Sequence, residues 1–146
     1  MEKWIKIADL ENYREADMDE VRAAMDIAAA QVERNLDTFT EKFPGANSFD
    51  NFYKPGPNVD WTTGFWTGEI WLAYENAKTE EERERLRRAG EIQVDSFLER
   101  IEKRVEVDHH DMGFLYSLSC VAAYKLTGME KAKKAALLAA DNLIRR

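Results

Sequence analysis

Residues 60–66 read DWTTGFW, and residues 109–115 read HHDMGFL. Both heptapeptides carry Gly-Phe at their fifth and sixth positions, so the two segments repeat with a step of 49 residues. Each segment leads into a run of largely apolar residues of helical length. A step of this size lies at the long end of the range of helical-hairpin repeats. The two segments therefore predict an all-α fold built from helical hairpins.

Helical periodicity runs through most of the chain, and strand signals are almost absent. The second and fourth predicted helices are apolar around most of their circumference, whereas the third and fifth are amphipathic. This alternation is typical of hairpins whose apolar helix lies inside and whose amphipathic helix lies outside. The first predicted helix has apolar residues at helical spacing, namely Val21, Met25, Ala28, Val32, Leu36 and Phe39. The five helices are predicted at about 17–43, 62–77, 79–103, 113–127 and from 129 onward.

Local signals support these helices. Thr79 is predicted to cap the third helix in a capping box with Glu82. Gly128 predicts the end of the fourth helix. The two glycines of GFWTG predict either a close backbone approach or a tight turn at the start of the second helix. The residues predicted to face inward on the third helix are Leu86, Ala89, Ile92, Phe97 and Ile101.

The segment 44–60 contains all three prolines and is predicted to be a loop. Its aromatic side chains, Phe49, Phe52 and Tyr53, are expected to pack against the rest of the protein. We expect one all-α domain over residues 1–146.

Composition restricts the classes of partner. The net charge of −7 and the isoelectric point of about 5.0 argue against a nucleic-acid backbone or an anionic membrane surface as the main partner. No apolar run approaches the roughly 20 residues that span a bilayer, and residues 1–20 lack an apolar core of signal-peptide length. A single cysteine, Cys120, excludes an internal disulfide and favours a reducing compartment. We therefore expect a soluble, cytoplasmic protein.

The side chains suited to chemistry gather before the two apolar helices. The first segment carries Asn58, Asp60 and Trp61, and the second carries DHHD at 108–111. If the hairpins lie side by side, both segments meet at the same end of the inner helices, where helix N-termini favour anions. An aromatic face beside carboxylates suits a sugar, because the ring stacks on the sugar while the carboxylate binds hydroxyl groups.

Structural roles are open for the same residues. Asp108 or Asp111 could cap the fourth helix, and Asp60 could cap the second. Trp61 precedes a helix, so a place in the core and a place in a pocket are equally compatible with the sequence. Trp66 and Trp71 lie at helical spacing, for which the core is the default.

A metal site at His109 and His110 is disfavoured. Neighbouring residues of an extended chain point in opposite directions, and no further His or Cys lies at ligand spacing. We therefore expect no metal and no cofactor. Cys120 lies among apolar residues in mid-helix and is predicted to be a buried filler.

Two stretches resemble the unsaturated glucuronyl hydrolases of glycoside hydrolase family 88. They are DWTTGFWTGEIWLAYE at 60–75 and VDHHDMGFLYSLSCVAAYKLTG at 107–128, and the resemblance extends from Asp26 to residue 146. The sister family of unsaturated rhamnogalacturonyl hydrolases shares the architecture, but the HHD-GFLYS form is more similar to the glucuronyl group. The resemblance implies an (α/α)6 barrel, a closed ring of six helical hairpins, of which about five helices are present here.

The resemblance also implies a reaction and a site. Such enzymes hydrate the C4=C5 double bond of the unsaturated uronic acid at the non-reducing end of oligosaccharides that polysaccharide lyases release. By similarity, Asp111 is one of two active-site aspartates, and His110, Trp61 and Asp60 contact the unsaturated oligosaccharide. The helix N-termini are expected to assist with the substrate carboxylate, since no arginine nearby is an obvious partner.

Family members are more than twice as long as this chain. The second aspartate lies on a later inner helix, and no position here matches it, so we expect an N-terminal portion of the enzyme. Such a portion exposes apolar faces of its second and fourth helices, which predicts self-association. The alternative is a non-catalytic helical-repeat module, or an inactive fragment, that binds a partner on its open inner face.

Overall fold

Helices dominate the computed structural model of the chain, which describes residues 14–146. The five predicted helices are confirmed, although the first ends at Phe39 and the fourth contains a π-helical turn. The fourth helix is continuous over residues 112–127. The expectation about a signal peptide concerns mainly residues 1–13, which lie outside the described part. In chain order the elements are α1 (Met18–Phe39), β1 (Phe43–Phe49), β2 (Phe52–Gly56), α2 (Thr63–Asn76), α3 (Glu80–Glu102), α4 (Met112–Tyr116), the π-helical turn (Ser117–Val121), α5 (Ala122–Thr127) and α6 (Glu130–Arg145).

A two-stranded antiparallel hairpin replaces most of the predicted loop after α1. Phe49 of β1 pairs with Phe52 of β2 across a two-residue turn, Asp50-Asn51. Both turn residues have positive φ, 48° and 65°. This is the backbone of the tight hairpin turns that Asp and Asn tolerate. The expectation that strands are almost absent therefore missed one small sheet.

Two predicted helix ends, the start of α3 at Thr79 and the end of α5 at Gly128, are confirmed. The Thr79 side chain accepts a hydrogen bond from the backbone N–H of Glu82, and the Glu82 side chain accepts from the backbone N–H of Thr79, which completes the capping box of α3. Gly128 follows α5 with φ of 71°, a left-handed C-terminal cap.

Glycines allow α2 to approach its neighbours closely. A Cβ atom added to Gly64 would overlap the carbonyl oxygen of Phe114 and lie 2.6 Å from the Cα of Leu115. A Cβ on Gly68 would lie 3.1 Å from the Cβ of Leu118. The close backbone approach predicted from GFWTG is confirmed, and its partner is the 112–127 helix.

The core lies where α2 meets α1, α3 and the 112–127 helix, and Gln93 of α3 joins α3 to α1 and α2 through polar contacts. Its buried amide group donates to the backbone carbonyls of Phe39 (3.0 Å) and Thr40 (2.7 Å), and its carbonyl accepts from Thr67 Oγ1 (2.8 Å). These bonds satisfy carbonyls at the end of α1 that have no partner within the helix.

Some predicted core residues are exposed. On α3, Ile92 faces solvent, although its four predicted companions are buried. On α1, Val32, Leu36 and Phe39 are buried, but Val21 and Ala28 are not. Phe49, Phe52 and Tyr53 of the hairpin are also exposed instead of packed.

Apolar side chains of the second and fourth helices are exposed on one side, as expected. Phe65 and Leu72 of α2 are 40% and 53% exposed, and Phe114 of α4 is 48% exposed. We call this surface the open face; half-buried Leu118 continues it. Within residues 14–146, no helix has both the length and the apolar character needed to cross a membrane.

Candidate active site

The two segments that carry the candidate residues meet at the N-terminal ends of α2 and α4. The ring centroids of Phe65 and Phe114 are 5.5 Å apart and nearly parallel. Trp61, immediately before α2, lies 6.2 Å from the Phe65 ring and 6.4 Å from the Phe114 ring. We call these three residues the aromatic triad. The triad joins the two repeats at the position that the 49-residue step predicts.

Asp111 lies between two imidazole rings. Its Oδ2 is 3.5 Å from His109 Nδ1, and its Oδ1 is 3.3 Å from His110 Nε2. The Asp111 side chain is 21% exposed, the His109 side chain 26% and the His110 side chain 84%. His110 is therefore the ring that can reach a ligand, while His109 lies against the protein.

Neither aspartate of this segment caps the helix. Asp111 occupies the N-cap position of α4 but makes no side-chain capping bond. The carboxylate of Asp108 accepts a hydrogen bond from Arg146 Nε at 3.0 Å and is turned to solvent. The capping role left open by the sequence is absent at both positions, so the Asp111 carboxylate is free for other contacts.

Asp60 contributes its backbone to the structure. Its carbonyl oxygen accepts hydrogen bonds from Thr63 Oγ1 at 3.1 Å and Arg100 Nη1 at 3.0 Å. The N-cap of α2 is Thr62, which makes no side-chain capping bond. Asp60 therefore does not cap α2, and its exposed side chain lies beside Trp61 in the chain.

Arg100 is the residue of this region that the sequence analysis missed. It is only 2% exposed. Its guanidinium donates to carbonyls on both site segments, at 2.9 Å to Val59 and 2.8 Å to Glu106. Further bonds go to the carbonyls of Asp60 and Val105 and to the side-chain oxygens of Asn58 and Thr63. Arg100 thereby ties residues 58–60 to residues 105–106.

Burial lowers the pKa of Arg100, although an arginine remains protonated in proteins. The sequence does carry a signal for this residue. Arg100 lies three positions after Phe97 and one before Ile101, on the inward face of α3, where a basic residue is unexpected. Asn58, a candidate from the sequence, belongs to the same network, because its Oδ1 accepts from Arg100 Nη1 at 2.9 Å.

Three further candidates, Trp66, Trp71 and Cys120, are structural, whereas Trp61 is not. Trp66 and Trp71 are buried, and Trp66 Nε1 donates to the carbonyl of Phe39 at 2.9 Å. Cys120 is buried in the π-helical turn, and its burial raises the pKa of the thiol to about 12, so no thiolate forms near neutral pH. Trp61 is 48% exposed and forms a wall rather than part of the core.

No group of three His, Cys, Asp or Glu side chains in the described region comes close enough to hold a metal ion. A groove of about 300 Å³ lies on the other side of Phe65, between the β-hairpin and α2. Tyr53, Thr62 and Glu69 are among the residues that line it.

The chain folds as helical hairpins whose inner helices present a carboxylate and an aromatic wall at one end, and the solved structures that share its fold are α/α barrels. No family model matches the chain. It is nevertheless similar in sequence and fold to the N-terminal part of the unsaturated glucuronyl hydrolases, as the resemblance at residues 60–75 and 107–128 implies.

Three relatives carry this similarity. An unsaturated chondroitin disaccharide hydrolase of Streptococcus pneumoniae strain R6 is 46% identical over 97% of this chain and 35% of its own length. The crystal structure of an unsaturated glucuronyl hydrolase from Streptococcus agalactiae matches 93% of this chain and 33% of its own, at 43% identity and a TM-score of 0.85. A variant of that enzyme, at a TM-score of 0.84 and 43% identity over 93% of this chain and 35% of its own, was solved in complex with dGlcA-GalNAc6S. The chain spans about a third of the length of these relatives.

Proposed function

We propose that this chain supplies the N-terminal part of an unsaturated glucuronyl hydrolase of glycoside hydrolase family 88. The observation that carries the proposal is the Asp111 carboxylate, held between two histidines at the same helix ends as the exposed Trp61 ring. The names of the relatives support the reaction, and the S. agalactiae complex supports an unsaturated disaccharide as the ligand.

In the proposed reaction, an acid protonates C4 of the unsaturated uronic acid and water adds at C5. The resulting hemiketal opens and releases the neighbouring sugar. A vinyl ether of this kind needs a proton donor above one carbon and a base that activates water. We assign Asp111 as one of the two carboxylates; the second belongs to a later helix of the longer enzyme. The complete activity is therefore proposed for a protein of the relatives' length.

We assign substrate contacts to three further residues. Trp61 offers its exposed ring as a wall for the apolar face of the sugar. His110, the most exposed group of the Asp111 cluster, offers a hydrogen bond to the ligand. Asp60 offers an exposed carboxylate for a hydroxyl group at the same helix ends. The assigned chemistry requires no metal or cofactor.

The substrate class follows from the relatives that act on unsaturated chondroitin disaccharide. We propose a glycosaminoglycan fragment in preference to the rhamnogalacturonan fragment of the sister family. We place the protein in the cytoplasm, with which its single buried cysteine, Cys120, is compatible.

A chimera tests the proposal. This chain would replace the matched third of the S. pneumoniae relative, and unsaturated chondroitin disaccharide would be the substrate. Loss of the ultraviolet absorbance of the C4=C5 bond measures turnover. We expect turnover in the chimera and a loss of roughly 100-fold or more on Asp111→Asn, since a catalytic proton-transfer group contributes about 10²–10⁴-fold.

Asp108→Asn is the matched control, because Asp108 is exposed and pairs with Arg146 outside the cluster. It should retain turnover. A folded chimera without turnover, or equal rates for both variants, would contradict the proposal. Binding of the disaccharide without turnover in every folded form would instead favour the non-catalytic binding module.

A further inference from the structure

The orientation of the His109 ring is set by a backbone carbonyl. His109 Nε2 lies 3.0 Å from the carbonyl oxygen of Glu106. A carbonyl oxygen only accepts hydrogen bonds, so Nε2 must carry the proton. Glu106 is itself constrained, since its φ is 44° and its carbonyl also accepts from Arg100 Nη2 at 2.8 Å. The carbonyl group that orients the His109 ring is therefore itself held in place by Arg100.

The other ring nitrogen faces Asp111. His109 Nδ1 is buried, has no hydrogen-bond partner in the part of the chain that the structure describes, and lies 3.5 Å from Asp111 Oδ2. With the proton on Nε2, a neutral ring presents a lone pair at Nδ1, and an ionised carboxylate also presents only lone pairs. Two acceptors that face each other are unfavourable when one of them is shielded from water, as His109 Nδ1 is. One proton between the two atoms removes the conflict.

We propose that His109 is a positioning residue for Asp111 and that the pair holds one proton between Nδ1 and Oδ2. The proton belongs either to an imidazolium that donates to the carboxylate or to a carboxylic acid that donates to the ring. In both forms Oδ2 is turned toward His109. Oδ1 is then left on the side of the exposed His110, where a ligand can reach it.

The charged and titratable groups around the pair do not supply this proton. His110 Nε2 lies against Oδ1, the other oxygen of Asp111. Arg100 donates to carbonyl oxygens, including that of Glu106. Asp108 is paired with Arg146 at 3.0 Å. His109 is thus the side chain that lies against Oδ2. The proposal's catalytic consequence rests on the proposed function, but the shared proton does not.

Nuclear magnetic resonance of this chain tests the shared proton directly. The sequence has two histidines, so ring nitrogen signals of a histidine-labelled sample are assigned with His110→Gln. At neutral pH we expect a proton on Nε2 of His109 and an Nδ1 signal displaced from that of a bare nitrogen. In Asp111→Asn the amide can donate to Nδ1, so the ring should revert to the neutral form with its proton on Nε2. A bare Nε2, or an Nδ1 signal that Asp111→Asn leaves unchanged, would overturn the proposal.

Activity of the chimera then separates the two contacts of the ring. His109→Asn keeps an amide near the position of Nδ1, and His109→Gln keeps one near Nε2. We expect His109→Gln to lower kcat by roughly tenfold or more with little change in KM, and His109→Asn to retain more of kcat. An effect on KM alone, or equal losses in both variants, would contradict the positioning role. If every chimera is inactive, the proposed function fails and the resonance result still decides the shared proton.

Discussion

Arg100 carries a buried charge with no carboxylate partner among residues 14–146. Instead, its guanidinium donates to four backbone carbonyls and two side-chain oxygens. The fixed fork of a guanidinium suits several carbonyls in one plane, which a lysine could not reach together. The relative position of Trp61 and the 105–111 segment therefore depends on one side chain of α3.

Replacement of Arg100 by Met is expected to destabilise the protein by about 3–5 kcal/mol, because several buried carbonyls lose their donor. Urea unfolding followed by circular dichroism measures the change. Arg87→Met is the control: Arg87 lies on the same helix, is half-exposed, and pairs with Glu91 at 3.1 Å, so its loss should cost less than about 0.5 kcal/mol. Arg100→Met within about 1 kcal/mol of the parent chain would show that the carbonyls find other donors.

The sequence placed Asp111, His110 and Trp61 at one end of the inner helices because the two heptapeptides repeat in register. It marks Arg100 only as a basic residue on the inward face of α3, and it could not reveal which groups Arg100 binds or the role of His109. Arg100 acts on carbonyls about 40 residues away in the chain, a contact that no local pattern records. His109 differs from His110 in burial, which depends on how the backbone turns at Glu106.

At the scale of the elements, the contact between α2 and the 112–127 helix positions the aromatic triad. Gly64 lets the two backbones touch, and the neighbouring Phe65 then stacks on Phe114. The equivalent glycine of the second heptapeptide, Gly113, has open space around it, with no atom within 4 Å of an added Cβ. The repeat in sequence is thus asymmetric in structure.

We predict that Gly64→Ala destabilises the protein by about 1–3 kcal/mol, because the new methyl group would meet rigid backbone atoms. Gly113→Ala should be neutral or slightly stabilising, by up to about 1 kcal/mol, because alanine favours the helix. Denaturant unfolding of the pair measures both effects. In the chimera, Gly64→Ala should also weaken substrate turnover by displacing Phe65 from Phe114. Equal stability of the two variants would mean that the helices separate at no cost.

The helices were predictable because their apolar residues repeat over several turns, whereas the β-hairpin was not. Its strands are short, its aromatic residues other than Phe43 are exposed, and no alternation of buried and exposed positions marks them. The decisive feature is the positive φ of Asp50 and Asn51, which their residue types permit but do not require. Ile92 was misassigned for a related reason, since periodicity places a residue near the edge of a helix face without fixing the packing there.

At the scale of the whole molecule, the open face is what the fold leaves uncovered. Phe65, Leu72 and Phe114 are each exposed by about half, and Leu118 and Leu126 continue the same apolar surface. This chain matches about a third of the length of its relatives. In those relatives, the corresponding surface therefore belongs to a larger protein. In a solution of the isolated chain, the partner that is always available to cover the open face is a second copy of the chain.

We therefore predict that this chain self-associates through the open face, because burial of exposed apolar area is favourable by about 25 cal/mol per Å². Sedimentation velocity over a series of concentrations should show a rising average mass. Leu72→Gln should shift the equilibrium toward the monomer, since Leu72 lies on that face. Ile144→Gln removes an equally apolar and more exposed side chain on α6, a helix that contributes no residue to the open face, and should leave the association unchanged. A monomer at every concentration, or equal effects of the two variants, would mean that the open face does not bind another copy.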